Sequence, residues 1–147
     1  MAPSNHQKHQ AGRYLAVAEA LLHGYSASLH GAQTFVKING WMAAVQVAAQ
    51  GGWMVADIDR MTEMSIDLYV LVDVTDGRRD FYVVPGDELR AGVRERHEEF
   101  MASIGGVRPR NPYSRHTAIY PTNVEVWRNQ WSLFDQAAQP ASGETSS

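Results

Sequence analysis

Asn39-Gly40 stands between the apolar runs Phe35-Val36-Lys37-Ile38 and Trp41-Met42-Ala43-Ala44-Val45-Gln46-Val47-Ala48 and constrains this chain more than any other feature. Asn-Gly supplies the two left-handed residues of a type I′ turn, so the flanking runs read as an antiparallel hairpin. A two-residue loop pairs Ile38 with Trp41 and Thr34 with Val45, which turns Gln46 and Ala48 away from Thr34's face. A three-residue Asn39-Gly40-Trp41 loop with a bulge shifts the register by one and brings them to that face. The two registers build different sites from the same residues.

Around the hairpin the pattern predicts a helix over residues 11–23, with Tyr14, Leu15, Ala18, Leu21 and Leu22 at helical spacing as its apolar side and Gly24 as its C-terminal cap. Strands are expected over residues 26–29, 34–38 and 43–49, with another starting at Trp53. Asp67-Leu68-Tyr69-Val70-Leu71-Val72-Asp73-Val74 is nearly continuous in apolar and β-branched residues, which suits a buried strand. Asp76-Gly77 marks a turn into Phe81-Tyr82-Val83-Val84. Pro85 then opens a helix over residues 86–102, packed through Leu89, Val93, His97, Phe100 and Met101. Residues 107–116 read as a basic loop and residues 123–134 as a last helix. The sum is an α/β (α+β) domain, a mixed β-sheet flanked by helices. It covers residues 11–135, between a flexible segment at 1–10 and a disordered polar tail at 136–147.

Composition narrows the function classes. No apolar run reaches the ~18 residues of a membrane span, and the start of the chain lacks the apolar core of a secretory signal. There is no cysteine, which excludes disulfides and thiolate metal sites and fits a cytoplasmic location. The net charge of -3 argues against an overall electrostatic grip on nucleic acid and leaves a local patch as the alternative.

Several motifs occur in an order that resembles the PD-(D/E)XK nuclease superfamily, in particular its small intron-endonuclease-like and resolvase-like members. They are Gly12-Arg13-Tyr14-Leu15-Ala16-Val17-Ala18-Glu19-Ala20-Leu21-Leu22-His23-Gly24-Tyr25, the hairpin, Phe81-Tyr82-Val83-Val84-Pro85, His97, Arg115-His116 and Trp131-Ser132-Leu133. The resemblance implies a restriction-endonuclease-like core with an active-site Glu at Glu19. It also implies a metal-binding Asp where this chain has Thr34, a tolerated Gln at Gln46 and a Lys where it has Ala48. Carboxylates of such a site hold Mg²⁺ against the scissile phosphate. Thr34 offers only a neutral hydroxyl, and Ala48 cannot orient the attacking water. The implied site Glu19, Thr34, Gln46 and Ala48 is therefore degenerate, with no metal expected. The expectation is a pseudo-nuclease that binds a partner, as a regulator or inhibitor in a bacterial or phage system.

Two other classes compete with that reading. One is a divergent Mg²⁺-dependent endonuclease using Glu19, Gln46 and a migrated carboxylate such as Asp57 or Asp59. The other is a self-associating protein, a homodimer for instance, using Trp41 and Trp53 or the pair Trp127 and Trp131. The partner is expected to be a protein, with weak nucleic-acid binding as the alternative. The nucleic-acid contacts would be Arg108, Arg110, Tyr113, Arg115 and His116 of the basic loop, with Arg94 and Arg96 as neighbours. The bland reading of that loop is a solvated, proline-stiffened connection. For His97 it is core packing, and for Asp57 and Asp59 a polar connection. His6 and His9 could chelate a metal only on a helix, in a segment expected to be loose.

Overall fold

Ser4 starts the first helix earlier than the apolar pattern suggests. Its Oγ accepts from Gln7 N (3.1 Å) and its own N–H donates to Gln7 Oε1 (2.8 Å), a capping box that satisfies two donors at the helix start. In the computed structural model, which describes residues 2–31, 35–63, 65–105 and 117–135, helix α1 spans Asn5–Leu22. It thus takes in much of the segment expected to be a loose lead. The basic loop, Thr34 and the expected tail lie outside the described residues.

Strands β1 (Ala27–His30), β2 (Phe35–Ile38) and β3 (Trp41–Ala48) form an antiparallel meander. The short strand β4 (Trp53–Val55) and helix α2 (Ile58–Glu63) lead to β5 (Leu68–Asp73), which pairs with β3 in parallel. Strand β6 (Asp80–Pro85) returns antiparallel to β5 and runs straight into helix α3 (Gly86–Ser103). The main sheet is five-stranded in the order β1-β2-β3-β5-β6. A second, two-stranded sheet pairs β4 with β7 (Thr117–Ile119). The expected mixed sheet flanked by helices is what forms. No described helix is long and apolar enough to cross a membrane.

The hairpin takes the two-residue loop. Ile38 pairs with Trp41 and Phe35 with Ala44, and Asn39 and Gly40 both have positive φ (49° and 86°). The three-residue loop with a bulge does not form, because Asn-Gly alone supplies the left-handed pair that a tight turn needs. The strand register then divides the core. Val36, Ile38, Ala43, Val45, Val47, Val70 and Val72 face α1, while Ala44, Ala48, Tyr69, Leu71, Tyr82 and Val84 face the side of α3.

Helix α1 packs through a different side from the one its large residues suggest. Gly12, Ala16 and Ala20 are buried, whereas Tyr14, Leu21 and Leu22 are 53%, 52% and 82% exposed. The cause is a close helix-to-sheet approach: a Cβ on Gly12 would lie 2.5 Å from Val47 Cγ1. Only small side chains fit that gap. On α3, Leu89, Val93 and His97 are buried as expected, but Phe100 is exposed.

The expected last helix is instead three 3-10 turns, Pro121–Asn123, Glu125–Trp127 and Trp131–Phe134. Asn129 has φ of 54° and donates its N–H to Phe81 O (2.9 Å), and Arg128 bridges to Tyr82. Pairing with the edge of β6 wins over helix formation there. Trp127 and Trp131 therefore share no helix face: Trp131 belongs to the core under α1 and Trp127 packs against the core on the other side of the sheet. Trp53 is fully buried, with its Nε1 donating to Gln46 O (3.2 Å) and Val72 O (3.1 Å).

Candidate functional site

Strand β3 carries the residues to which the nuclease resemblance assigns the metal site, and its side chains are Trp, Met, Ala, Ala, Val, Gln, Val, Ala in order. Val45 and Val47 point to α1, and Gln46 and Ala48 to the opposite side. Neither face of the strand bears a carboxylate or a lysine. Phe35 of β2 pairs with Ala44 and so shares a face with Gln46.

Glu19 is elsewhere. It stands on α1, 3.4 Å from His23 Nε2. It lines a groove with Arg79, Asp80 and Arg128, where Arg128 Nη2 lies 2.8 Å from Asp80 Oδ1. Helix α1 and the Gln46 side chain are on opposite faces of the sheet, so Glu19 and Gln46 do not converge. Asp57 is engaged locally. Its Oδ1 accepts from Asp59 N (2.9 Å) and Arg60 N (3.3 Å), which makes it the N-terminal cap of α2, a helix the sequence reading took for a polar connection. Asp73 is buried at the end of β5, where its Oδ1 accepts from Thr75 N (3.0 Å). Among the described residues no three His, Asp or Glu side chains are grouped so as to hold a metal ion. Mg²⁺ requires several oxygen ligands, charged ones among them. Among the described residues, the donors do not fit the ion that the resemblance implies.

Two separate cavities have Gln46 in their lining. One, of about 270 Å³, lies on the α3 side between Phe35, Trp53, Val55, Met61, Tyr69 and Leu89, with Asp57 and Arg60 at its exposed edge. Tyr69 is 3% exposed and its Oη is buried beside Arg90. Arg90 lies beside the phenol; it donates from Nη1 to Ile66 O (2.8 Å) and from Nη2 to Asp87 Oδ1 (2.8 Å), and each of these nitrogens keeps a second N–H. Burial pushes the Tyr69 pKa up, against the pull of the Arg90 hydrogen bond and charge. The other cavity, of about 420 Å³, is lined by Asn5, His9 and Arg13 of α1, by Gln50 and Gly52, and by Tyr120. His9 is held below its ordinary pKa by partial burial first, then by the charges of Arg13 and His6. Gln46 and Met54 line both cavities.

Of the residues singled out from the sequence, Gln46 and Asp57 share the first cavity, and Glu19 is apart from both. Thr34, Arg108, Arg110, Tyr113, Arg115 and His116 lie outside the described residues. Tyr69, Arg13 and Gln50 were not anticipated. The signal for Tyr69 was available: it is the one hydroxyl within the apolar run Leu68–Val72.

The sheet and its flanking helices form an endonuclease-like fold. A solved bacterial homing endonuclease, I-Ssp6803I, is similar at a TM-score of 0.50 and 16% sequence identity, over 90% of this chain and 91% of that one. The likeness is one of fold. No family model and no curated protein sequence matches the chain.

Proposed function

We propose that this protein uses an endonuclease-like fold to bind a partner, nucleic acid or protein, and does not cut nucleic acid. One observation carries the reading: β3 has no charged side chain on either face. Whichever register relates it to a nuclease strand, the carboxylate that would hold Mg²⁺ and the ammonium that would sit beside the attacking water are missing from it. Losing one preorganised group of this kind costs ~10²–10³ in rate, and groups that act as a unit fail together.

The alternative, a divergent metal-dependent endonuclease, draws on Gln46 and Asp57 lining one cavity. Against it, Asp57 Oδ1 already caps α2, and Glu19 is on the other side of the sheet. Titration of the purified protein with Mg²⁺ and Mn²⁺ separates the two. The expected result is no saturable binding at physiological Mg²⁺ concentrations. Saturable binding that disappears in Asp57→Ala or Glu19→Ala would favour the alternative.

A further inference from the structure

Helix α1 is inverted relative to an ordinary surface helix, which turns its apolar stripe to the core and its charges to water. Here Gly12, Ala16 and Ala20 face the sheet, while Tyr14, Leu21 and Leu22 are 53%, 52% and 82% exposed. Ala11 and Ala18 are exposed among them, and Leu15 is half-buried beside them. The charged residues between Gln10 and Leu22 are Arg13 and Glu19, and both lie on the flanks of the helix. Arg13 lines the cavity with Val45 and Gln46, and Glu19 lines the groove with Phe81. The outward face of this stretch therefore carries no charge. Its three large side chains expose an apolar patch on the order of 300–400 Å², a size that on a monomer often marks a functional surface.

The spacing within the patch indicates what covers it. Ala18 is at the centre, Leu15 and Leu21 lie three residues to either side, and Tyr14 and Leu22 lie four to either side. In an antiparallel pair of α1 helices about a two-fold axis beside Ala18, Ala18 meets its own copy. Leu15 then meets Leu21 of the second copy, and Tyr14 meets its Leu22. A two-fold interface needs this self-complementarity, whereas an unrelated partner does not. Alternating three- and four-residue spacing favours a shallow crossing of about 20°, and a small residue at the crossing lets the axes approach to about 8 Å. The chain's own end is a poor alternative cover, since the residues after Asp135 include no apolar side chain larger than Ala or Pro. The patch amounts to about half of the ~800 Å² that each partner buries in a standard interface. The pairing is accordingly weak, with a Kd on the order of micromolar.

We propose that α1 is the interface of a homodimer, an antiparallel helix pair with its two-fold axis at Ala18. The occupant of the apolar face is a second copy of this chain. The inference does not rest on the binding-only reading, because this face is on the far side of α1 from β3.

The test uses the full chain, which has no cysteine of its own, so that introduced cysteines report geometry. Sedimentation of the wild type should show a monomer–dimer equilibrium that moves towards dimer between ~1 and ~100 μM. With a mild oxidant, Ala18→Cys should form a disulfide-linked dimer. Ala11→Cys should not, since its two copies would lie about 20 Å apart along the antiparallel helices. Tyr14→Lys and Leu22→Glu should each weaken the dimer at least ~10-fold and leave the urea midpoint of the monomer unchanged. Mixing those two variants should restore dimer, since the mixed pair has one Lys–Glu contact and one native Tyr14–Leu22 contact. A monomer at every concentration, equal cross-linking at Ala11 and Ala18, or no recovery on mixing would each overturn the proposal. Vesicles of phosphatidylcholine and phosphatidylglycerol test the rival occupant. A monomer that co-sediments with them, and is released by Leu22→Glu, would assign the face to a lipid surface and overturn the dimer. Metal-dependent cleavage, which refutes the binding-only reading, leaves the dimer standing.

Discussion

Replacing Gly12 by alanine tests how α1 is held on the sheet. The added Cβ would lie 2.5 Å from Val47 Cγ1 and 2.6 Å from Cγ2. Carbon atoms in ordinary contact are ~3.5–4.0 Å apart, so the helix must retreat by about 1 Å or Val47 must leave its rotamer. Val47 is buried under α1, paired with Val72 of β5. Overpacking of this kind costs ~1–3 kcal/mol, offset by the ~1 kcal/mol that alanine gains over glycine in a helix. The expected net loss is about 0–2 kcal/mol. For a chain of this length each kcal/mol lowers the melting midpoint by about 2–4 °C. Urea unfolding of Gly12→Ala, Val47→Ala and the double variant measures the coupling. Val47→Ala removes both colliding methyls, so in that background Gly12→Ala should become neutral or stabilising, a coupling of about 2 kcal/mol. A Gly12→Ala variant that is stabilised in the wild-type background, or equally destabilised in both, would refute the close-approach account.

Gly86→Ala should be more damaging than Gly12→Ala, at ~3 kcal/mol or beyond, because its Cβ would fall 1.8 Å from the backbone oxygen of Ile66, which cannot swing aside; a smaller loss than that of Gly12→Ala in the same urea series would contradict this. Tyr25 donates to Trp131 O (2.9 Å) and to Asp135, and its pKa is pushed from 10.0 up to about 12 by burial, then by the Asp135 hydrogen bond and charge. The folded state thus favours the neutral phenol, so this contribution to stability is complete below pH 10 and is lost as pH rises towards 12. Tyrosine absorbance titrations of wild type and Tyr25→Phe should differ by one group ionising near pH 12; a missing group near 10 would show that the Asp135 contact is absent in solution.

The strands were legible because their signals are local. Asn39-Gly40 specifies a tight turn from two residues, and the run from Leu68 to Val72 reads as buried at any position in a sheet. What failed depended on tertiary distance. Tyr14, Leu21 and Leu22 looked like the buried side of α1 because hydrophobicity weighs size, whereas packing selected Gly12, Ala16 and Ala20 for closeness. Helical spacing after residue 121 was overridden by backbone bonds to β6, and α2 was missed because only its Asp57 cap marks it. At the site, the register that the turn chemistry favours places Gln46 and Ala48 on the face away from Val45 and Val47. The cavities lined by Gln46 had no sequence signal, since one joins the start of α1 to residues from β3, β4 and β7, and the other joins β2, β3 and β4 to α2, β5 and α3.

Binding without cleavage is tested most directly by following both in one reaction. A labelled hairpin with a single-stranded loop, a linear duplex, a branched duplex and a structured RNA are each incubated with the purified protein and Mg²⁺ or Mn²⁺. Complex and strand length are then read from the same sample. The account predicts that every strand remains full length, in wild type and Glu19→Ala alike, whether or not a complex forms. Metal-dependent product that accumulates with the wild type and vanishes in Glu19→Ala or Asp57→Ala would contradict it.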